Sequence, residues 1–248
     1  MTLPETPRED GRARIGLVVP SINTVFEAWA ARVLPSGVSL HTARMMLEGQ
    51  LTPEQICLMD KTDGLRAIRQ VASCRPAVIA YGCTASSIVQ GVPYDARLRQ
   101  EIESVLGNGG KATTAAHAIV TGLRAVGAET IALVSPYTAE VDAAEHRYFA
   151  EAGFDVVGGA HLGISDNFGL AAPTPQTLLD LGLKGWDRRA DALVISCLNT
   201  RSDTVIEALE QRIGRPVVTS TQALLWHALR LADIEDRLAG LGTLLREH

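Results

Sequence analysis

Two of the four cysteines follow apolar, strand-like segments, where a thiol could act as a nucleophile or move a proton. Cys83 lies in AVIAYGCTASS at residues 77–87, and Cys197 lies in ALVISCLNTRS at residues 192–202. A strand that ends in small and hydroxyl residues before a helix places its cysteine beside the free N–H groups of the helix N-terminus, which stabilise a thiolate. The sequence therefore predicts two thiols facing one active site.

The other two cysteines carry no such signal. Cys57 falls within a helical stretch over residues 53–71 and Cys74 follows it, so we expect both to have packing or incidental roles. The sequence has no Cys-x-x-Cys pair and no Cys/His cluster at zinc spacing. We therefore expect no metal site.

The composition restricts the possible partners. With 23 basic and 28 acidic side chains the net charge is -5, and there is no basic run with interleaved aromatic residues of the kind that binds nucleic acid. The longest apolar runs, such as residues 131–134, are far shorter than the roughly 20 residues of a membrane-spanning helix. The polar N-terminal MTLPETPREDGRAR lacks the apolar region of a signal peptide and is predicted to be a loose leader. We expect a cytoplasmic protein that binds neither nucleic acid nor membranes.

Strand and helix patterns alternate along the first half of the chain. Strands are predicted at residues 15–19, at 38–46 and before Cys83, and helices through 26–34, over 52–71 and over 95–106. Thr52 is predicted to cap the second helix, with Pro53 at its first position. The Gly-Asn-Gly-Gly segment at 107–110 ends the third helix.

The second half repeats this plan. The predicted order is a helix over 113–127, a strand in TIALVSPYTAE, a helix over 140–149, a strand at 154–164, a helix around 176–181, the strand before Cys197 and a helix over 203–212. The interval between Pro20 and Pro136 is 116 residues, and that between Cys83 and Cys197 is 114. Such regular spacing indicates an internal duplication.

Alternating strands and helices predict parallel sheets that bind ligands at the carboxyl ends of their strands. The predicted fold class is α/β, with two pseudo-symmetric flavodoxin-like lobes, each a parallel sheet of about four strands flanked by helices, and the active site between the lobes. The closing strand and helix in RPVVTSTQALLWHALRLADI are expected to return to the first lobe. The first lobe then comprises residues 14–110 plus 216–248, and the second comprises 111–215.

Several short motifs together resemble one enzyme family. The motifs are Val19-Pro20-Ser21 with Asn23-Thr24, Tyr81-Gly82-Cys83-Thr84, Pro136-Tyr137, Asp166-Asn167, and Ser196-Cys197 followed by Asn199 and Arg201. In this combination the chain resembles maleate cis-trans isomerase, within the aspartate/glutamate racemase superfamily that also holds hydantoin racemases and arylmalonate decarboxylases. The resemblance spans roughly residues 14–240.

This resemblance implies a role for each matching residue. Cys83 would be the nucleophile and Cys197 the thiol that handles a proton, while Asn23, Tyr137 and Asn167 would hold the carboxylates of a small substrate. Thr84 and Leu198 would line the pocket beside the two thiols. Leu198 and Ile22 stand where the family usually has threonine and serine, which leaves the exact substrate open. The resemblance also implies a homodimer without a cofactor.

The chemistry of a cis-trans isomerisation can be argued from the thiols without reference to the family. A thiolate that adds to a carboxylate-substituted alkene makes the C=C bond temporarily single, so rotation and elimination give the trans isomer. The negative charge that builds up as an enediolate would be stabilised by backbone amides at the two cysteine turns and by Asn and Tyr side chains. Neither a metal nor a redox cofactor is needed for these steps.

Alternatives remain open for the residues and for the function. Asn23 could be a helix cap, Tyr137 an aromatic residue at the rim, and Asn167 a turn residue. Two thiols on opposite faces of a stereocentre would equally suit a cofactor-independent racemase, and idle thiols in the same cleft would suit a small-molecule binding protein. Cys83 argues against a decarboxylase, which in this superfamily keeps only the second cysteine. His117, on a helix, is expected to be structural.

Overall fold

The computed structural model of the chain describes residues 11–107 and 109–248. Its strands are β1 Ala13–Pro20, β2 Val38–Met45, β3 Val78–Tyr81, β4 Lys111–Thr114, β5 Thr130–Ser135, β6 Asp155–His161, β7 Ala192–Ile195 and β8 Val217–Thr219. They form two parallel sheets with the orders β2-β1-β3-β4 and β6-β5-β7-β8. The same order in both sheets confirms the predicted α/β fold of two pseudo-symmetric lobes. Residues 1–10 of the predicted leader, and Asn108 of the predicted glycine-rich breaker, lie outside the described residues.

Helices flank both sheets. Within the described residues they are α1 Phe26–Val33, α2 Pro53–Met59, α3 Leu65–Ala72, α4 Thr84–Gln90, α5 Val92–Leu106, α6 Ala115–Ala125, α7 Ala139–Glu151, α8 Pro175–Gly185, α9 Ile206–Ile213, α10 Ser220–Leu231 and α11 Gly242–Glu247. The predicted cap of α2 is confirmed, because the Thr52 side chain accepts a hydrogen bond from the Gln55 backbone N–H. None of the helices in these ranges has the length and apolar character needed to cross a bilayer.

The four central strands point their carboxyl ends at the junction of the lobes. Every residue of β3 and β7 is buried, which explains why their sequences are continuous apolar runs rather than alternating ones. One hydrophobic cluster contains side chains from both sheets, including Leu17 of β1 and Leu133 of β5. The shared core holds the two sets of strand ends against each other.

The predicted lobe boundaries need a correction. The segment 111–114, expected to begin the second lobe with the start of a helix at residue 113, is strand β4 of the first sheet, and the closing strand at 217–219 belongs to the second sheet. The predicted return of that strand to the first lobe is therefore wrong. Each fourth strand pairs with the third strand of its own sheet, and the following helix crosses over: α6 packs against β8, and α10 packs against β3 and β4. The lobes exchange helices rather than strands.

A second difference lies in the helix predicted over residues 52–71. The structure interrupts it with a π-helical turn at Asp60–Gly64, between α2 and α3. The sequence pattern does not reveal such a turn, because its polar residues fit an exposed helical face equally well. Single π-turns within helices often mark functional positions.

Candidate functional site

A cavity lies between the lobes at the carboxyl ends of their central strands. Residues of both lobes line it: Pro20, Ile22, Asn23, Leu47, Leu51, Ile56, Gly82, Cys83, Thr84, Ala85, Tyr137, Leu170, Cys197, Leu198 and Asn199. Both predicted thiols face this one space, as do the four other predicted residues Asn23, Tyr137, Thr84 and Leu198. Asn167 is not among the lining residues.

Cys83 follows β3 and is the N-cap residue of α4, as the sequence predicts. The preceding residue, Gly82, lies where the two lobes approach most closely. A Cβ atom at Gly82 would lie 2.7 Å from Leu198 Cδ2 and 2.8 Å from Val19 Cγ1. Those distances are too short for carbon atoms, so glycine is required to seat Cys83 beneath the cysteine loop of the second lobe.

The resting state of Cys83 differs from the prediction. Burial, together with the negative charge of Asp60, raises the pKa of the Cys83 thiol from 9.0 to about 12. The hydroxyl and backbone N–H of Ser86 lower the pKa of this thiol, although the sulfur makes no capping hydrogen bond to α4. The predicted stabilisation by the helix N-terminus is present, but burial outweighs it. Cys83 therefore rests as a thiol at neutral pH.

Cys197 has a different backbone setting from Cys83. It adopts a φ of 93°, which is uncommon for a residue other than glycine and stores strain at this loop. It does not lie at a helix N-terminus, because α9 begins nine residues later, at Ile206, after a 3₁₀ turn at Ser202–Thr204. The expected stabilisation of this thiolate by a helix dipole is therefore wrong.

Hydrogen-bond donors take the place of the helix at Cys197. Burial raises the pKa of this thiol, and three groups oppose that effect by favouring the thiolate: the hydroxyls of Thr200 and Tyr137 and the backbone N–H of Asn199. Burial, and after it the charge of the Cys197 sulfur, keeps the pKa of Tyr137 well above its usual value. Tyr137 therefore remains a neutral donor. A sulfur surrounded by donors suits a group that gives up and regains a proton.

Ser220, at the start of α10, connects the two cysteine turns. Its Oγ accepts hydrogen bonds from the Cys197 backbone N–H at 3.0 Å and from Thr84 Oγ1 at 3.1 Å. The Cys197 amide and the Thr84 hydroxyl are thereby occupied and not free for a substrate. The amides of Thr84 and Ala85, in the first turn of α4, lack intrahelical partners and are the remaining backbone donors beside Cys83.

Two asparagines fix the loop between β1 and α1. The Asn23 side-chain oxygen accepts from the backbone N–H groups of Val25 and Phe26, so Asn23 closes a turn ahead of α1, whose N-cap residue is Val25, while it also lines the cavity. Asn199 reaches across from the second lobe, accepts from the Thr24 N–H at 2.9 Å and donates to the Ile22 carbonyl at 3.3 Å. The sequence motif contained Asn199 but gave it no role.

The Asn167 side chain connects two loops. Its side-chain N–H donates to the Gly49 carbonyl, and the Leu51 backbone N–H donates to the Ser165 carbonyl, so the loops before α2 and after β6 are joined. Its oxygen is buried without a partner among the described residues. One of the two N–H groups of the Asn167 amide donates to Gly49, and its oxygen is an acceptor that cannot bind a carboxylate. The predicted role of Asn167 in holding a carboxylate stays a prediction.

The apolar wall of the cavity was not predicted. Leu47 and Leu51 come from the segment between β2 and α2, Ile56 comes from α2, and Leu170 comes from a 3₁₀ turn in the second lobe. Leucines and isoleucines in loops and short helices look like ordinary core residues, so only the folded arrangement reveals that they exclude water from the thiols. In the part of the chain that the structure describes, no cluster of three or more His, Cys, Asp or Glu side chains could hold a metal ion.

Glu145 of α7 lies directly behind the Cys197 turn and is fully buried. The Ser196 hydroxyl donates to one of its oxygens, and the other has no partner among the described residues. Burial raises the pKa of Glu145 from 4.5 to about 8. Between those two pH values only the folded state holds the proton, so the free energy of unfolding falls as the pH rises, by about 1.4 kcal/mol per pH unit.

We expect Glu145→Gln to remove this pH dependence. Glutamine keeps the shape and can still accept from Ser196, so the variant should be more stable than the wild type at pH 8, on the order of 4 kcal/mol, and about equal to it near pH 5. Urea unfolding at several pH values measures the difference. The matched change on the exposed side of the same helix, Glu140→Gln, should have no such effect. If the stability difference between Glu145→Gln and the wild type were the same at every pH, the raised pKa of Glu145 would be contradicted.

The chain is similar in sequence and structure to several known enzymes. Residues 15–245 match the family model described as arylmalonate decarboxylase. A maleate isomerase of Nocardia farcinica is 32% identical over 251 residues, covering 96% of this chain and 97% of that protein. The crystal structure of a maleate isomerase from Pseudomonas putida S16 with maleate has a TM-score of 0.89 at 28% identity, covering 94% of this chain and 96% of that one. A cysteine-to-serine variant of the Nocardia farcinica enzyme with a covalently bound succinylcysteine intermediate has a TM-score of 0.88 at 28% identity, covering 95% and 98%.

Proposed function

We propose that the chain, which belongs to the arylmalonate decarboxylase family, is a cis-trans isomerase of maleate or of a close cis-alkene dicarboxylate. The observation that carries the proposal is that Cys83 and Cys197, one from each lobe, line a single cavity. A relative that is a maleate isomerase at 32% identity, and a structural neighbour that holds a succinylcysteine, support it. A decarboxylation reaction gives no role to the second thiol.

The reaction begins with the thiolate of Cys83. Its sulfur adds to one alkene carbon, the C–S bond forms, and the π electrons move into the adjacent carboxylate as an enediolate. Thr84, Ala85 and Tyr137 line the cavity, and the amides of the first two and the hydroxyl of the third would donate to the developing charge. Among the lining residues that the structure describes there is no Lys, Arg or His, so neutral dipoles must hold the substrate's carboxylates.

Cys197 completes the cycle by moving one proton. Its thiol protonates the carbon next to the new thioether, which gives a succinyl adduct on Cys83 and a thiolate at Cys197. After rotation about the C–C bond, that thiolate removes a proton from the same carbon, the C–S bond breaks and the trans alkene leaves. The donors of Thr200, Tyr137 and Asn199 stabilise the Cys197 anion while the adduct exists.

Product analysis tests this function directly. The purified protein, in buffer that contains a chelator and no nucleotide, should convert maleate to fumarate, which proton NMR detects by the alkene signals of the two isomers. If maleate is inert while a chiral amino acid or hydantoin exchanges its α-hydrogen in deuterated water, the protein is a racemase. If neither substrate class reacts, the cavity is a binding site and the proposal is wrong.

A further inference from the structure

The apolar wall of the substrate cavity is larger than the apolar surface of maleate. The wall consists of Leu47, Leu51, Ile56 and Leu170, each of which is at most 7% exposed. Maleate has two carboxylates and two C–H groups, so its apolar surface is limited to the edge of the C=C bond. Four branched side chains, drawn from both lobes, suit a substrate with more apolar surface than that edge.

The wall lies where the reacting carbons must lie. Its four side chains belong to one hydrophobic cluster together with Cys83 and Cys197. The Leu170 carbonyl accepts from Thr200 Oγ1 at 3.2 Å, and Thr200 follows Cys197 in the same loop, so Leu170 is fixed to that loop. In the proposed reaction one alkene carbon bonds to the Cys83 sulfur and the other receives its proton from Cys197. A substituent on an alkene carbon would therefore contact the wall.

The wall offers a polar substituent nothing to bind. Its side chains are hydrocarbon, the Leu51 backbone N–H already donates to the Ser165 carbonyl, and the Leu170 carbonyl already accepts from Thr200. A polar group placed here would lose its water without gaining a hydrogen bond, whereas an alkyl group would gain from burial. The substrate's carboxylates belong instead with the donors of the cavity, at the start of α4 and at Tyr137.

We propose that the substrate is a cis-butenedioate with a small alkyl group on one alkene carbon, and that the apolar wall binds this alkyl group. The inference rests on the proposed isomerase function and names the substrate class of the same site. Leu170 and Leu51 are the residues that set the preference, since their loops are joined across the two lobes by the hydrogen bond from Leu51 to Ser165.

The reaction of such a substrate uses the two thiols as before. The Cys83 thiolate adds to the unsubstituted carbon, and the π electrons move into the carboxylate on the substituted carbon as an enediolate. The Cys197 thiol then protonates the substituted carbon, which leaves a thiolate at Cys197. After rotation about the C–C bond, that thiolate takes the proton back, the C–S bond breaks with its electron pair returning to Cys83, and the trans isomer leaves.

A wall that only excludes water predicts the opposite preference. In that case an added methyl group would have to displace closely packed side chains, and the substituted compound would bind more weakly than maleate. If the wall binds an alkyl group, the methyl group is buried on binding and the affinity rises, by about fourfold for one carbon. The sign of the difference separates the two roles.

The experiment compares the dissociation constants of maleate and 2-methylmaleate on the Cys83→Ser protein by isothermal titration calorimetry. This variant forms no thioether, so the lower electrophilicity of the methyl-substituted alkene does not enter the comparison. The Kd of 2-methylmaleate should be lower than that of maleate by about fourfold or more. In the wild type, proton NMR should show conversion of 2-methylmaleate to its trans isomer.

Variants of the wall test which residues set the preference. In otherwise wild-type protein, Leu170→Thr should lower the ratio of kcat/KM for 2-methylmaleate to kcat/KM for maleate by about threefold or more, because a hydroxyl replaces part of the apolar contact. Leu51→Thr should do the same, and it replaces the first variant if Leu170→Thr does not fold. The matched control is Leu58→Thr, the same change at an exposed residue of α2 outside the cavity lining, which should leave the ratio unchanged.

The results that overturn this inference differ from those that overturn the proposed function. If the wild type converts maleate, the inference is overturned when maleate binds as tightly as 2-methylmaleate or more tightly, when 2-methylmaleate is not converted, or when neither wall variant changes the ratio. If the wild type converts neither compound, the isomerase function itself is wrong.

Discussion

Replacing Cys83 by serine should abolish conversion of maleate to fumarate, with a loss of at least about a thousandfold in kcat/KM. Serine fits the space, because the residue after β3 keeps an ordinary extended backbone with a φ of −130°. A serine hydroxyl is a far weaker acid than a thiol, and the same burial that raises the pKa of Cys83 disfavours an alkoxide even more. The variant should fold and bind substrate but form no thioether. Initial rates followed by NMR measure the loss.

The matched controls for this change are the other two cysteines. Cys74 is exposed and Cys57 is partly buried, and neither lines the substrate cavity. Cys74→Ser and Cys57→Ser should therefore keep the wild-type rate of maleate conversion. A Cys83→Ser protein that is folded and still turns over maleate at more than a few per cent of the wild-type rate would show that the nucleophile is another group.

Replacing Cys197 by serine should lower turnover by about a hundredfold to ten thousandfold, because the step that moves the carbon-bound proton loses its acid and base. Unlike Cys83→Ser, this variant retains its nucleophile and should still add to maleate, as the succinylcysteine of the related Nocardia farcinica variant indicates for that enzyme. The φ of 93° does not disfavour serine more than cysteine, and Ser220 can still accept from the amide of residue 197. Turnover measured by NMR should thus fall while substrate is still consumed stoichiometrically.

The result that contradicts this role is a Cys197→Ser protein with unimpaired turnover. Thr200→Val offers an intermediate test, since it removes one of the donors that favour the Cys197 thiolate but leaves the sulfur in place. Its effect on turnover should be smaller than that of Cys197→Ser. Equal and large losses in both variants would point to collapse of the loop rather than to chemistry at the sulfur.

The elements that position the site could be predicted from the sequence, because their signals are local. Apolar runs that end at Cys83 and Cys197, separated by 114 residues, predict two equivalent strand ends in one duplicated α/β fold. The two parallel sheets of equal strand order confirm that fold. The prediction missed strand β4 and placed strand β8 in the wrong lobe. Strands of four and three residues give little periodicity, and the sequence does not show which sheet a strand joins.

The electrostatics of the site could not be predicted in the same way. A helix N-terminus beside Cys83 is readable from the residues that follow it, but the cost of burial depends on which side chains close over the sulfur. Asp60, 23 residues earlier, begins a π-helical turn and accepts from Ser86, and its charge adds to the effect of burial on the pKa of Cys83. Ser220, 23 residues after Cys197, is an unremarkable helix-start serine until the fold places it between the two turns.

The duplication also conceals an asymmetry between the two thiols. Cys83 is the N-cap residue of a helix, and burial and the charge of Asp60 raise its pKa, whereas Cys197 lies in a strained loop among neutral donors. The donors around Cys197 can stabilise an anion that reprotonates. Unequal roles, nucleophile and proton carrier, follow from these surroundings and not from the cysteine count.

The most direct test is peptide mapping of the Cys197→Ser protein after incubation with maleate and acid quenching. The account predicts a mass increase of one maleic acid, as a succinyl group, on the peptide that contains Cys83 and on neither Cys57 nor Cys74. A folded protein that converts maleate but shows no adduct on Cys83 under these conditions, or that carries the adduct on another residue, would contradict it.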